Sequence, residues 1–507
     1  MNIKAVFHVI SAILSMVGFC ILSSVPVSIC MGDEQNASFT LLYTALFTLL
    51  VGISGYFATK GETTYSLGIR EGFGIVTFGW IIASAFGALP FIFVGNMHWY
   101  DAFFETMSGF STTGASVLDS SLKMTTGGTL SMGIANLPNG LLFWRSLTHW
   151  LGGMGIVVLS LAIFPFLGIG GQSLYNAEVP GPTSDQLTPR IASSAKILWS
   201  VYLLLSIAET LLLYLGDMSL FDAWCHTCGT MATGGFSTQQ SSVGAYNSPY
   251  IESVIILFMF LAGCNFVLHY RALRGKPLFY LKDEEFRFYF LVTLFAIITI
   301  TFCLIGSDIV STSGQIFADA SFLTSFRFAA FQVVSILTTT GFATANFNLW
   351  PAYTTLLLVC LMFVGGCGGS TGGGMKNSRV LLLLKYGISQ IQRCIFPNSL
   401  TNVRLNGERL DNTIIHKTLT FFFLFLGCFV IFTLLLPILC EMDLVTAMSA
   451  SIASLGNIGP GLNKVGSTVT YSWMSPSAKM LLTIAMLIGR LEIYTVLVII
   501  LPSFWKK

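Results

Sequence analysis

Residues 329–342 read AAFQVVSILTTTGF, and three other stretches of the chain align with them without a gap. These are AFFETMSGFSTTGA (102–115), AWCHTCGTMATGGF (223–236) and AMSASIASLGNIGP (447–460). Each copy is an apolar segment that ends in a short polar string with a glycine. An α-helix over such a segment is roughly 20 Å long, whereas the hydrocarbon core of a bilayer is about 30 Å thick. The copies therefore predict four segments that enter a membrane and turn back.

The alignment places one glycine at the same position of every copy, and a small residue six positions before it. The glycines are Gly114, Gly235, Gly341 and Gly459. The small residues are Ser108, Gly229, Ser335 and Ala453. A self-similarity of this length indicates one structural unit that the chain uses four times.

The composition is that of a membrane protein. Of 507 residues, 54% are hydrophobic and 9% are charged, whereas soluble proteins carry about 25% charged residues. A chain of this composition is expected to be surrounded by membrane lipid. Its formal net charge of +2 gives no reason to expect a nucleic-acid partner.

Each short segment lies between two stretches long enough to cross a membrane. The four pairs are about 72–95 with 140–168, 193–216 with 250–270, 286–307 with 352–384, and 412–440 with 475–501. Two further crossings precede them, at about 5–30 and 38–59. We therefore predict an all-α polytopic membrane protein with four pseudo-symmetric span–pore helix–span repeats around a central pore. The predicted divisions are 1–69 (two leading transmembrane helices), 70–170, 190–275, 284–395 and 410–507 (repeats 1 to 4).

The basic residues predict the orientation. With the N-terminus and the C-terminus in the cytoplasm, 19 of the 25 lysines and arginines lie on the cytoplasmic side, as the positive-inside rule requires. Five then lie on the outer side: Lys123, Arg145, Arg327, Lys464 and Lys479. All four short segments enter from that outer side.

The polar strings are predicted to form an ion filter. Non-helical backbone at membrane depth is tolerated where it lines a water-filled path, and rings of backbone carbonyls replace the hydration shell of a cation such as potassium. Glycine allows the backbone to turn its carbonyls inward without a clash of Cβ. The predicted filter residues are Thr112, Thr113, Gly114, Thr233, Gly234, Gly235, Thr339, Thr340, Gly341, Asn457, Ile458 and Gly459.

Carboxylates near the outer ends of the pore helices are expected to concentrate cations at the mouth. A solvated loop charge or a helix N-cap is an equally good interpretation of each one. They include Asp101, Glu105, Asp119, Asp222 and Asp443.

The stretch GGCGGSTGGG (365–374) interrupts the crossing after the third filter string. Broken helices in membranes mark substrate paths, so we predict a flexible gate beneath the filter. Close packing of helices against glycine is the alternative. A phosphate-binding loop is excluded because Lys376 follows Met375 and precedes Asn377. The predicted gate residues are Gly365, Gly366, Gly368, Gly369, Ser370, Thr371, Gly372, Gly373, Gly374 and Lys376.

Arg490 is a charge within the final crossing. An arginine inside a membrane is costly and usually faces a cavity or a partner. We predict that Arg490 faces the pore as a barrier to cations. The alternative is a structural ion pair with a carboxylate such as Glu209.

Other reactive residues give no catalytic pattern. Cys225 and Cys228 form a CxxC, but a metal or redox site requires further ligands at a fixed spacing, so we interpret the pair as helix packing. The six histidines are dispersed and no HExxH or GxSxG occurs. An enzyme is therefore not expected.

The four strings STTGA, ATGGF, TTTGF and GNIGP, the glycine-rich loop and GRLEIYTV (489–496) together resemble the Trk/Ktr/HKT potassium transporters, and SLGNIGPG resembles their TrkH/TrkG branch. The resemblance implies potassium uptake across a bacterial inner membrane, with potassium as the transported ion and no organic cofactor. It also implies a homodimer and a cytosolic nucleotide-binding subunit of the TrkA type. The four repeat glycines would be the family's filter glycines, 365–374 its gate and Arg490 its pore arginine. A sodium-permeable or proton-coupled carrier of the same architecture is the alternative.

Overall fold

The computed structural model describes residues 2–60, 68–130, 133–155, 191–397 and 403–506. The described chain is mostly helical. Its helices are α1 (Ile3–Leu22), α2 (Ser24–Cys30), α3 (Gln35–Ala58), α4 (Ile69–Gly87), α5 (Leu89–Phe93), α6 (Trp99–Phe110), α7 (Asn139–Gly153), α8 (Ile191–Tyr214), α9 (Leu220–Met231), α10 (Pro249–Ala262), α11 (Phe266–Leu273), α12 (Phe279–Lys282), α13 (Glu284–Leu304), α14 (Phe322–Leu337), α15 (Ala352–Val364), α16 (Asn377–Ile395), α17 (Asn412–Leu439), α18 (Leu444–Leu455), α19 (Pro476–Arg490), α20 (Tyr494–Ile500) and α21 (Pro502–Trp505).

Two small antiparallel hairpins, which the sequence analysis did not predict, join helices. Strands β1 (Ile309–Val310) and β2 (Ile316–Phe317) precede α14. Strands β3 (Arg404–Leu405) and β4 (Glu408–Arg409) lie between α16 and α17.

The four predicted short segments are helices α6, α9, α14 and α18, which we call pore helices 1 to 4. They have 12, 12, 16 and 12 residues, so the longest measures about 24 Å and none spans a bilayer. Side-chain oxygens of Ser219, Ser321 and Asp443 cap the first turns of the last three. All four run through the buried interior and end at the polar strings. The predicted fold class is confirmed.

Six helical segments of the described chain are long and apolar enough to cross a membrane. They are Ile3–Cys30, Gln35–Ala58, Ile69–Phe93, Ala195–Tyr214, Glu284–Leu304 and Asn412–Leu439. Two further helix pairs have the length and composition of one crossing each but are bent, α10 with α11 by 103° and α19 with α20 by 117°. We predicted both as continuous spans, at 250–270 and 475–501, and the bends correct that prediction.

The bends have local causes. Between α10 and α11, Asn265 accepts a hydrogen bond from the Val267 amide at 2.9 Å and starts a new helix. Between α19 and α20, Glu492 and Ile493 both have positive φ, at 54° and 58°, which cannot continue a right-handed helix. In repeat 3, as predicted, 365–376 separates α15 from α16. In repeat 1, the part of the predicted span 140–168 beyond residue 155 lies outside the described residues.

The two leading crossings pack on each other through small residues. A Cβ on Gly52 would lie 2.6 Å from the Ser15 amide nitrogen, and one on Gly18 would lie 2.8 Å from that of Leu49. Such close approach of backbones is typical of helix pairs in membranes. The connection after α2 then binds repeat 1, where the Asp33 carboxylate accepts from the Asn139 and Gly140 amides at 2.8 Å each.

Candidate ion filter and gate

We call the four polar strings walls 1 to 4: residues 112–114, 233–235, 339–341 and 457–459. Their backbone conformation repeats. The first residue of each wall has positive φ, at 53°, 53°, 63° and 54°, and so does the final glycine, at 79°, 80°, 81° and 97°. The residue between them does not. When the sign of φ alternates between successive residues, as it does along each wall, their carbonyl groups turn to the same side of the backbone. Glycine is favoured at the last position because φ is positive there.

The four walls form a closed ring. A Cβ built on the glycine of any wall would collide with the carbonyl oxygen of the middle residue in the next wall. The pairs are Gly114 with Gly234, Gly235 with Thr340, Gly341 with Ile458, and Gly459 with Thr113. The repeats are therefore arranged in sequence order, and the fourth closes on the first.

The small residue that the alignment placed six positions before each glycine has a structural role. Its carbonyl oxygen accepts a hydrogen bond from the middle amide of the wall, at 2.9, 2.8, 2.9 and 2.8 Å in walls 1 to 4. This bond fixes the turn between the pore helix and the wall. Small side chains here allow tight packing, since a Cβ on Gly229 would lie 2.9 Å from the carbonyl oxygen of Phe236, just after wall 2.

The carbonyl oxygens of the walls are largely free of donors. Each wall has three, and among the described residues only the oxygen of Gly459 accepts a hydrogen bond. Buried carbonyls are normally paired, so rings of unpaired carbonyl oxygens indicate a site for a cation. The structure thus brings the predicted filter residues together, and their binding of a cation stays a prediction.

The glycine-rich loop lies directly against the inner end of these walls. Thr339 Oγ1, in wall 3, accepts from the Gly373 amide at 2.6 Å. The hydroxyl of Thr371 donates to the carbonyl of Met231, at the end of pore helix 2, at 3.0 Å. A Cβ on Gly373 would meet the Gly456 carbonyl next to wall 4. The loop therefore contacts three of the four repeats beneath the filter.

Polar side chains hold both ends of the loop. Asn377 donates from Nδ2 to the Gly365 carbonyl at 2.6 Å. Glu285, at the start of α13, accepts from the amides of Gly368 at 2.6 Å and Ser378 at 2.9 Å. The Lys376 ammonium, a predicted gate group, donates to the Gly372 carbonyl within the loop. Sequence reasoning missed Glu285, which looks like a helix-start carboxylate.

Arg490 joins the loop to repeat 1. The guanidinium donates to the Thr371 carbonyl at 2.9 Å and to the Gly152 carbonyl, near the end of α7, at 2.6 Å. Its alternative partner, Glu209, forms no ion pair with it among the described residues. The nearby Glu492 pairs instead with Arg379 of α16. Arg490 thus lies beside the loop, below the filter.

Two of the basic residues predicted on the outer side form ion pairs between repeats. Lys479 pairs with Asp101 at 2.6 Å, and Arg327 with Glu252 at 2.6 Å. Each pair joins neighbouring repeats. The side chains of Lys479 and Asp101 are each 3% exposed, which corrects the interpretation of Asp101 as a mouth charge. The same correction applies to Glu105, which is fully buried.

Glu105 and Arg145 connect the backs of walls 1 and 2. Glu105 accepts from Arg145 Nε at 2.8 Å and from the Val117 amide, just after wall 1, at 3.0 Å. Arg145 donates to the Ser237 carbonyl, just after wall 2, at 2.8 Å, and its guanidinium stacks 3.6 Å from the ring centre of Phe236. In the sequence, the signal for these ion pairs is the small set of basic residues that the positive-inside rule leaves on the outer side.

Replacing Glu105 by Ala is expected to destabilise the protein strongly. The change leaves the Arg145 charge buried without its carboxylate, at a cost of about 3–5 kcal/mol in the free energy of unfolding. The control is Glu284→Ala. Glu284 pairs with Lys385, and their side chains are 26% and 30% exposed, respectively. Such an exposed pair contributes about 1 kcal/mol or less to the free energy of unfolding. Thermal unfolding in detergent measures both. Equal melting temperatures for the two variants would contradict a stabilising role of the Glu105–Arg145 ion pair.

Asp119 ties the segment after wall 1 to the loop that precedes α19 in repeat 4. Its carboxylate accepts from the hydroxyls of Ser472 at 2.6 Å and Ser121 at 2.7 Å, and from that of Thr470. Partial burial raises the pKa of Asp119, but these hydrogen bonds outweigh it and hold the pKa below its ordinary value. Asp119 is therefore ionised at neutral pH.

Cys225 and Cys228 are both buried and reduced on pore helix 2. Among the described residues, no group of three or more His, Cys, Asp or Glu side chains could hold a metal ion. The packing interpretation of this pair stays a prediction.

Comparison with known proteins identifies the family. Residues 37–507 match the family model described as TrkH, cation transport protein. The chain belongs to the TrkH family. It is 37% identical to the Trk system potassium uptake protein TrkH of Escherichia coli K12, over the full length of both chains. It is 41% identical to TrkH of Salmonella typhimurium over 88% of each chain. The crystal structure of the potassium transporter TrkH from Vibrio parahaemolyticus superimposes with a TM-score of 0.85 at 34% identity, covering all of both chains.

Membership of the TrkH family confirms the resemblance inferred from the motifs. The protein is a multi-pass membrane protein of a cation transport family. A TrkH-type architecture also explains why the walls differ, because one chain supplies all four and each can diverge separately.

Proposed function

We propose that this chain takes up potassium ions across the bacterial inner membrane through the four walls. The observation that carries the proposal is the closed ring of walls, whose buried carbonyl oxygens lack donors among the described residues except at Gly459. A cation that has lost its water needs such a set of oxygens. The relatives named above are potassium uptake proteins, which supports potassium as the ion. Both termini lie in the cytoplasm, and the ion enters from the side where the pore helices begin.

The loop 365–374 acts as the gate in this proposal, and Arg490 as the barrier. Both lie on the path that an ion takes after leaving the filter, because the loop contacts the first residue of wall 3 and Arg490 contacts the loop. A fixed positive charge beside the path repels a passing cation.

A cytosolic nucleotide-binding subunit of the TrkA type would control the gate, and two chains would associate as a homodimer, as the family resemblance implies. A physical connection to the cytosol supports the first part. In the β3–β4 hairpin, Asn406 accepts from the Glu284 amide at 2.8 Å and donates to Asp283 at 3.1 Å. The next residue, Glu285, holds the gate loop. A subunit that moves the hairpin would therefore move the loop.

Uptake of rubidium tracer into liposomes, with and without a pH gradient, tests the proposal. Uptake without a gradient, inhibited by external potassium more than by sodium, is the expected result. Equal inhibition by both ions would favour a sodium-permeable pathway, and uptake only with an inward proton gradient would favour a proton-coupled carrier. Uptake no faster than in empty liposomes would contradict transport by the chain alone.

A further inference from the structure

Wall 4 departs from the symmetry of the filter. The φ of Gly459 is 97°, whereas the other three glycines lie between 79° and 81°. A Cβ on Gly459 would lie 2.7 Å from the Thr113 oxygen, and the other three glycines approach the next wall more closely. The contact between wall 4 and wall 1 is therefore the widest of the four.

A tyrosine contacts the same wall. The hydroxyl of Tyr471 donates to the carbonyl oxygen of Gly459 at 2.7 Å. Among the described residues, the equivalent oxygens of Gly114, Gly235 and Gly341 accept no hydrogen bond. Tyr471 is 2% exposed and packs against Phe104 with ring centres 5.7 Å apart. The donor therefore approaches the wall from the protein interior and not from the pore.

The position of Tyr471 is fixed by repeat 1. Its amide donates to the Ser116 carbonyl, after wall 1, at 2.9 Å. Its neighbours Thr470 and Ser472 both donate to Asp119, and the Ser472 carbonyl accepts from Lys479 at 2.9 Å. The hydroxyl is thus held against Gly459 by contacts that do not involve the filter.

We propose that Tyr471 sets the ion selectivity of this protein by engaging the Gly459 carbonyl, so that the glycine ring offers three full ligands instead of four. The inference rests on the proposed function and deepens it. Selectivity for potassium depends on the number and field strength of the carbonyl ligands. A carbonyl that already accepts a hydroxyl hydrogen bond is a weaker ligand, and a site with fewer strong ligands discriminates less against the smaller sodium ion. Tyr471 is a specificity-determining residue that no filter motif contains.

Tyr471→Phe tests the proposal because it removes only the hydroxyl. The ratio of potassium to sodium flux per folded molecule in liposomes is expected to rise about three- to tenfold, the range that one hydrogen bond corresponds to. In detergent, the variant is also expected to need about three- to tenfold less potassium for half-maximal thermal stabilisation. This second measurement does not require flux.

The matched control is Tyr289→Phe. Tyr289 is fully buried, and its hydroxyl donates to the Phe260 carbonyl at 3.1 Å and not to a wall residue. Its flux ratio is expected to equal that of the parent. An unchanged or lower ratio in Tyr471→Phe, with a parent that carries potassium, would overturn the role of Tyr471 alone. A parent that carries neither cation would instead contradict the proposed function.

Discussion

Replacing Gly341 by Ser is expected to lower the ratio of potassium to sodium flux by about tenfold or more. Gly341 has a φ of 81°, and a side chain there strains the backbone by about 1–3 kcal/mol. Its Cβ would collide with the Ile458 carbonyl oxygen and lie 2.8 Å from Pro460 Cδ. Wall 4 would have to move, and its oxygen with it. A shift of about 1.4 kcal/mol in the preference of the walls for potassium over sodium changes the flux ratio tenfold. The displacement of one wall is therefore enough for an effect of this size.

The matched control is Gly427→Ser in α17. A Cβ on Gly427 meets no atom within 4 Å, so this variant makes the same chemical change without contact with the filter. Gly114→Ser is expected to behave like Gly341→Ser, since its Cβ would collide with the Gly234 oxygen. Tracer flux in liposomes with potassium or sodium as the competing ion gives the ratio. Parental selectivity in both filter variants would show that the walls do not select ions.

Replacing Arg490 by Ser is expected to raise cation flux at least several-fold. At about 6 Å and an effective dielectric constant of 20, a guanidinium repels a monovalent cation by about 3 kcal/mol, or roughly a hundredfold in rate. Water around the ion reduces this repulsion. The same change also removes the bridge between the Thr371 and Gly152 carbonyls, so the loop loses one of its attachments. Both effects act in the direction of faster flux.

Arg490→Lys separates the charge from the bridge. Lysine keeps the positive charge, but its compact ammonium lacks the planar fork with which arginine donates to two acceptors at once. Flux close to the parent's would assign the barrier to the charge, and flux close to that of Arg490→Ser would assign it to the bridge. Melting temperatures in detergent accompany each measurement. An Arg490→Ser variant that melts lower and conducts no faster would contradict a barrier of either kind.

The repeat could be found in the sequence because its information is local. The spacing between Ser335 and Gly341 reflects a hydrogen bond from the wall to its own pore helix, and this bond recurs in every copy. The order of the walls, by contrast, depends on contacts between distant positions, such as Asn457 Nδ2 with Thr113 Oγ1 at 2.9 Å. No pattern within one copy encodes such a contact.

The errors of the sequence analysis have the same origin. The chain at 250–270 is apolar enough to be read as one span, and only the cap at Asn265 marks the bend. Asp101 and Glu105 looked like exposed charges because their partners, Lys479 and Arg145, are 378 and 40 positions away. Tyr471 had no signal, because an aromatic residue in a loop acquires its partner only in the folded protein.

The closure of wall 4 on wall 1 has a consequence for synthesis. The Asn457–Thr113 contact joins residues 344 positions apart, so the two strings meet only after the ribosome has made nearly the whole chain. Until then, walls 1 to 3 are present and wall 4 is missing from the ring. Under the proposed function, a product that stops before wall 4 lacks the complete ring of oxygens, and we expect it not to conduct ions. The ring of walls can close only when translation is nearly complete.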